Sequence, residues 1–480
     1  PDLTLNAGSG DVTLTDGSRA SSAGALTLGS EEGSIVLTNN SRAEATTDAT
    51  LDAATDVRVN NGSVVDAGSG DFTATANNGD LSVTSGATLT AGTDLTGTAG
   101  QNVTLDQANA EAGADLSLNA TNGDLTVSDA TVRAEGALAL TAGEGDLGVT
   151  NASVTAGGAL TGEAGGAATL TGATLASGDA PDADPADLSL AAGSGDLTVT
   201  DGSRVTATDS LTLSSEESDL TLSNNAVLVA GNNLEASAGG DITMDASSAM
   251  ESGADLTLAA GDDVALSTLR AVGDVSVTSE EGGIQADPAI AEHIHGDNLF
   301  LSATKSIGST LSGLTTRVEN LYATITGSGD LHQEDVDALT VKGSTLADGD
   351  AHLRAGGDLT IDSLVVNGDA VLDSTGRLAT SDGGHLGAHD LQGTAVDGIH
   401  LNGALDSATL AVSGTGSIDL DNQGDLRLDG ATTADGDIGV NTAGDLGVGQ
   451  VTAGDHDVAL AAEGAIRKDG VGEIEGVNVS

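Results

Sequence analysis

Along the first half of the chain, apolar and small polar residues alternate with a period of two. DLTL begins at Asp2, ALTL at Ala25, DFTA at Asp71, DLTG at Asp94, DLSL at Asp115 and ALAL at Ala137. The series continues with ALTG at Ala159, DLSL at Asp187, SLTL at Ser210, NLEA at Asn233 and DLTL at Asp255. Leu and Val occupy one side, and Thr, Ser or Asp the other, which predicts half-buried strands. Most neighbours stand about 22 residues apart, a period in the range of solenoid repeats. The gap after Ala25 spans two periods, and the long gap after Ala159 holds an insertion, ASGDAPDADPAD, at 176–187. A second set follows shortly behind the first, with DVTL at Asp11, SIVL at Ser34, DLTV at Asp124 and DLTV at Asp196. A third, weaker set includes ATLTA at Ala87–Ala91 and ATVRA at Ala130–Ala134. Gly-Ser-Gly, Asn-Gly and Asp-Gly separate the segments, as tight turns with positive φ require. No stretch places apolar residues at helical spacing.

Three short strands per unit of about 22 residues predict an all-β fold, a parallel β-helix or solenoid. The general preference of parallel crossovers makes it right-handed. Coils stack at roughly 4.8 Å, so about twenty of them make a rod of roughly 100 Å. AGSGDVTLTDGSR at Ala7–Arg19 returns, nearly unchanged, as AGSGDLTVTDGSR at Ala192–Arg204. The duplicated blocks are 2–36 and 187–221. A block of coils copied whole is tolerated because each coil touches only its neighbours. The regular segment is expected over 1–281, a transition over 282–298, and a second β-helical segment over 299–480, continuous with the first. In that last segment AHLR, AVLD, DLQG and ATLA recur at a shorter interval, so coils of roughly 19–20 residues are expected.

Composition sharpens this picture. Aromatics are 1% of the 480 residues, and there is no Trp and no Cys. A narrow lumen of stacked Leu, Val, Ile and Ala accounts for the missing bulky residues, and disulfides contribute nothing to stability. With 14 Lys and Arg against 73 Asp and Glu, the formal charge is 14 − 73 = −59. Such a charge repels nucleic-acid phosphates and anionic membranes, and it favours solubility and cation attraction. No run reaches the 18 or more apolar residues of a membrane-spanning helix, so no membrane insertion is expected. The chain opens at Pro1 in mid-pattern without a signal peptide, and so reads as part of a longer protein or a mature form.

Further along, AGGDLTIDSLVVNGDAVLDSTGRL (Ala355–Leu378), the segment Ser306–Val341 and the closing GAIRKDGVGEIEGVNVS (Gly464–Ser480) carry a resemblance. They resemble the coils of filamentous-haemagglutinin-like large exoproteins. The resemblance implies a right-handed parallel β-helix exported to the bacterial cell surface through an outer-membrane two-partner-secretion transporter. It further implies roles in adhesion, aggregation, biofilm or contact-dependent competition. The family's amino-terminal secretion domain has no counterpart here.

Candidate chemistry is sparse. Asp16, Asp129 and Asp201 lie in turns beside Gly or Ser, and stacked coils would align further carboxylates as oxygen ligands for Ca²⁺. The bland alternative is solvated turn residues with diffuse counterions. Like charges stacked at coil spacing repel, so salt is expected to stabilise the fold. His293 and His295, if on one strand, face the same side and could hold a transition metal, Zn²⁺ or Cu²⁺. His385 and His389 form a second, looser pair. Catalysis is not expected: cations are too few to complement a carboxylate cluster, and no phosphate loop, nucleophile triad or Cys is present.

These readings favour a structural extracellular rod or fibre, a segment of a giant repetitive surface protein. One alternative is a filament subunit that joins neighbouring copies end to end through exposed backbone groups. A second is a receptor- or glycan-binding adhesin module whose grip would lie in the 176–187 insertion or the 282–298 transition.

Overall fold

The computed structural model describes residues 1–178, 184–470 and 472–480. Among them every regular element is a β-strand, and every strand pairing is parallel. The chain is a parallel β-solenoid with three strands per coil and forms two compact units, Pro1–Ala254 and Asp255–Ser480.

In the first unit each coil repeats one recipe. The first strand has five residues, as in Leu26–Ser30, with burial alternating in, out, in, out, in. Its first two inward positions take Leu, Ala, Phe or Gly, and the third takes only Ala or Ser, as in Ala7, Ser30, Ala53, Ala76 and Ala99. That third position sits at a corner, where a small side chain fits. Where it is Ser, the hydroxyl donates across the turn: Ser30 to the Gly10 carbonyl at 2.7 Å, Ser215 to that of Gly195 at 3.0 Å. Second strands such as Ile35–Leu37 and third strands such as Arg42–Ala45 complete the coil.

Register never slips between these coils. Leu26 pairs with Ala49, Ala49 with Phe72 and Phe72 with Leu95. Inward side chains therefore stack on inward side chains, and each buried Leu contributes about 1.5–3 kcal/mol. Phe72 is fully buried, although the lumen is narrow. Its neighbour on one side is Ala49, whose missing volume admits the ring. The coil hidden in the long gap after Ala25 begins with Ala49–Ala53, where Ala replaces the usual leading Leu. The insertion leaves the ladder intact, because Leu160 pairs with Leu188 across it. Of that expected loop, 179–183 lie outside the described residues, while Ser177 donates to the Ala186 carbonyl at 2.9 Å where the loop closes.

The second unit makes its corners differently. Strands Leu359–Val366, Leu378–Ala395 and Ile399–Val412 run through a corner without a turn. Register shifts between Ile361 and Ser363 and between Ala379 and Leu386 fall on the same extra residues of Leu378–Ala395, a bulge that bends the strand. Apart from those extra residues, coils in this unit are shorter than in the first. Ala351 pairs with Ala370 and Ile399 with Ile418, a closer spacing than that of Leu26 and Ala49 in the first unit. The expected alignment of AVLD with DLQG differs by one position. Ala370 pairs with Leu391, because Ala370 and Leu372 are inward residues of that strand.

Candidate functional site: the aspartate columns and the histidine clusters

The most repeated chemistry of the chain lies at the corners. An Asp or Asn stands one residue before most first and second strands. Its Oδ1 accepts the backbone N–H of the equivalent residue one coil on. Ala25 N–H donates to Asp2 at 3.0 Å, Asp71 to Asp48 at 3.1 Å, Asp94 to Asp71 at 3.2 Å, and Asp115 to Asp94 at 3.1 Å. The second column runs Asp80 to Asp56, Asn102 to Asp80, Asp124 to Asn102 and Asp146 to Asp124, at 2.9–3.0 Å. The second unit repeats the device, with Asp350 donating to Asp330 at 2.9 Å and Asp369 to Asp350 at 2.8 Å. These N–H groups flank the strand ladder, whose first bond here is Leu26 N–H to the Asp48 carbonyl at 2.9 Å. The carboxylates thus satisfy donors that would otherwise face only solvent.

This arrangement explains the recurring Gly-Asp dipeptide. A Cβ on the residue before a column position would lie 2.2 Å from the carboxylate oxygen of the previous coil, as at Gly79 with Asp56, Gly166 with Asp146 and Gly240 with Asp219. Gly leaves the carboxylate oxygen one coil earlier free to stand directly beneath it, whereas Thr93 above Asp71 and Ala114 above Asp94 carry a Cβ at the same place and keep the bond with a shifted geometry.

Electrostatics follow the same contacts. The Thr93 hydroxyl and then the Asp94 N–H hold the Asp71 carboxyl below its ordinary range. The Ala465 N–H and the Arg467 guanidinium lower that of Asp445. Burial pushes Asp245 up, but donors from Asn224, Ser247 and Ser248 outweigh it, and the net direction is down.

Asp16, Asp129 and Asp201 belong to another column, at the turn between second and third strands. All three adopt left-handed backbone, with φ of 53°, 46° and 56°. So do Asn39, Asn61, Ser85, Gln107, Asn151 and Asn224 at the equivalent place in other coils. Asn and Asp tolerate this conformation better than most residues. Asn39 Nδ2 donates to Asp16 at 3.0 Å and Asn224 Nδ2 to Asp201 at 3.0 Å. The three aspartates lie in the first, sixth and ninth coils, so they do not meet. Among the described residues no three His, Cys, Asp or Glu side chains converge as a metal ligand set.

His293 and His295 also part company. The strand begins at Ile294, which points into the lumen, and His293 stands one residue before it, its backbone bonded to Leu269 and Thr315 of the neighbouring coils. The His293 ring is buried and engaged by backbone on both sides. Thr315 N–H donates to Nδ1 at 3.1 Å, so Nε2 carries the hydrogen and donates to the Asp287 carbonyl at 2.8 Å. His295 is half exposed, with Nδ1 3.4 Å from Glu292. It stands in register between Arg270 and Arg317. Arg317 Nε donates to Glu292 at 3.0 Å. Burial raises the Glu292 carboxyl, Arg317 and His295 lower it, and the net direction is down.

Two further clusters escaped the sequence reading. Thr316, Gln333 and Asp335 are buried polar residues in the lumen. Asp335 accepts Thr316 Oγ1 at 2.8 Å, Val318 N–H at 3.0 Å and Asp337 N–H at 2.9 Å. Burial pushes its carboxyl above the ordinary range despite these donors. Nearby, His332 and His352 stack in register, with ring centroids 4.5 Å apart. The signal was present: DLH at Asp330 and DAH at Asp350 lie one coil apart. A cleft of about 500 Å³, lined by Asp263, Gln285, Lys305, Ser309, Asp330 and His332, adjoins the pair. No protein-family model, curated protein or solved structure matches the chain.

Proposed function

We propose that the chain is a non-enzymatic structural segment, a stiff stalk within a bacterial surface or secreted repeat protein, exported through an outer-membrane partner and holding adhesive parts of that protein away from the cell. One observation carries this reading. The residues that a binding or catalytic site would draw on, the aspartates, recur coil after coil and are engaged by the backbone of the next coil. Residues with that role connect coils to one another. Their free oxygens and the charge of −59 keep the surface hydrated and neighbouring stalks apart. Calcium, in this reading, acts as a diffuse counterion along the columns.

The mechanical claim is tested by pulling a single molecule between tags at its two ends. Coil-by-coil resistance gives a saw-tooth in which each step releases one coil, about 22 residues or roughly 75 Å of extended chain. Smooth extension at low force, as for a disordered acidic chain, would remove the basis for a stalk.

A further inference from the structure

His332 and His352 form the one stacked imidazole pair among the described residues. Their rings lie 21° from parallel. His332 is 7% exposed, whereas His352 is half buried. The cover over His332 is the segment between Gly308 and Leu314. Ser309 and Thr310 line the 500 Å³ cleft on one side and a second cleft of about 190 Å³ on the other, and His332 lines both. The His332 ring therefore lies under the Ser309–Thr310 edge.

This segment is lightly held. Gly308 N–H donates to the Ile284 carbonyl at 2.8 Å, and Ser312 Oγ to that of Ala286 at 2.9 Å. Ser309 and Ser312 otherwise bond only to each other, and Leu311 at the tip is 95% exposed. Gly308 has φ of 67°, and a Cβ there would lie 2.3 Å from the His332 carbonyl. The chain thus crosses close over His332 at a hinge that only Gly accommodates.

We infer that the histidine pair and the Gly308–Gly313 flap form an acid-operated latch, closed while the two imidazoles are neutral and opened when both are protonated. Two cations stacked at this distance repel, and one of them is out of water. The groups facing the pair are mixed. Asp330 Oδ2 is 3.9 Å from His332 Nε2, and Asp350 stands one coil on, and both attract a proton. Lys305 and Asp263 face it across the larger cleft. Glu334, which pairs with Arg354 at 3.2 Å, and Asp373 face it across the smaller one. The carboxylates favour a proton on His332, and burial and the neighbouring ring oppose it more strongly.

The sign follows from His332, which burial first and His352 second hold below the ordinary 6.5. The open state binds protons more readily than the closed state. The latch is at full strength above about pH 6.5 and weakens as pH falls toward the depressed value. Lifting the flap joins the two clefts, which His332, Ser309 and Thr310 line together.

The absence of cysteine makes the test direct. A nitroxide attached to Leu311→Cys in the full chain reports flap mobility by its spectrum, without disturbing a contact. Between pH 8 and pH 5 the mobile fraction is expected to rise, by up to about tenfold per pH unit inside the window. In the His332→Phe background the mobile fraction stays low and flat. In the His352→Gln background opening requires a lower pH, because the repelling ring is gone. Proton NMR of the His332 imidazole supplies the second measurement, with a titration below the ordinary histidine value expected. A spectrum that does not change with pH, or the same opening curve in the His332→Phe background, would overturn the latch. So would a His332 titration at the ordinary histidine value.

Discussion

Gly240→Ala isolates the physical basis of the Gly-Asp repeat. Gly240 precedes Asp241, whose N–H donates to Asp219 Oδ1 at 2.8 Å. A Cβ on Gly240 would lie 2.2 Å from that oxygen, while the next nearest atoms, Asp219 Cγ and Ser218 C, are at 3.4 Å. The clash is thus with the carboxylate alone. The alanine forces Asp219 aside and weakens a charge-assisted hydrogen bond whose full loss costs about 1.5–3 kcal/mol, toward the lower figure because Asp219 is half exposed. Asp219→Ala alone loses the same bond. In the double variant the obstacle is already gone. Gly240 has ordinary negative-φ backbone, so alanine there narrows the unfolded ensemble and returns about 0.4–1 kcal/mol. The effect of Gly240→Ala therefore changes sign with its background, a coupling of up to about 2 kcal/mol. Urea unfolding gives the global values. Hydrogen exchange at the Asp241 amide reports the local ones, which matters because long repeat arrays need not unfold in one step. An equal cost of Gly240→Ala in both backgrounds would refute the idea that the aspartate dictates the glycine.

Acid should loosen the carboxylate contacts. Asp71, Asp245, Asp362 and Asp445 all lie below the ordinary 3.8 in the folded chain, so their contribution is complete above that pH and is lost as pH falls through the depressed values; far-UV circular dichroism from pH 7 to pH 2 checks this. Asp335 runs the other way. Its raised folded value means that the unfolded chain releases its proton first, so its contribution declines as pH rises from 3.8 to the folded value. Asp335→Ala strands the Thr316, Val318 and Asp337 donors, at about 1–3 kcal/mol each. Denaturant titration should show a loss of about 3 kcal/mol or more, and the Asn variant only partial rescue. Sodium chloride should raise stability by screening the charge of −59, and calcium and magnesium at equal ionic strength should act alike. A saturable calcium increment absent with magnesium would assign real sites to turns such as those of Asp16, Asp129 and Asp201.

Most of the fold was legible because a solenoid writes its geometry locally. Period-two alternation in DLTL and DLTV gives the strands, and their spacing gives the coil. Ala49 and Val57 hid one coil only because its first strand leads with Ala. The contacts that matter chemically needed register, which a single coil does not contain. Gly240 looks like an ordinary turn glycine until Asp219 is placed beneath it. LHQED at 331–335 looks like a polar surface strand, yet Gln333 and Asp335 point inward where the lumen admits a hydrogen-bonded group. His293 and His295 are two apart in sequence, but His293 precedes the strand, which begins at Ile294, and its ring is buried while that of His295 is half exposed. The one stacked aromatic pair among the described residues, Phe300 and Tyr322, sits on the outer face rather than in the lumen for the same reason: it is set by pairing across coils.

The central claim is a stiff stalk of stacked coils, and electron microscopy of the purified chain, with calcium and with EDTA, tests it most directly. The account predicts separate, slender, unbranched particles in both conditions, with a length that follows the number of coils at roughly 4.8 Å each. Compact or shapeless particles would contradict it, and long uniform fibres would replace the stalk with a self-assembling filament.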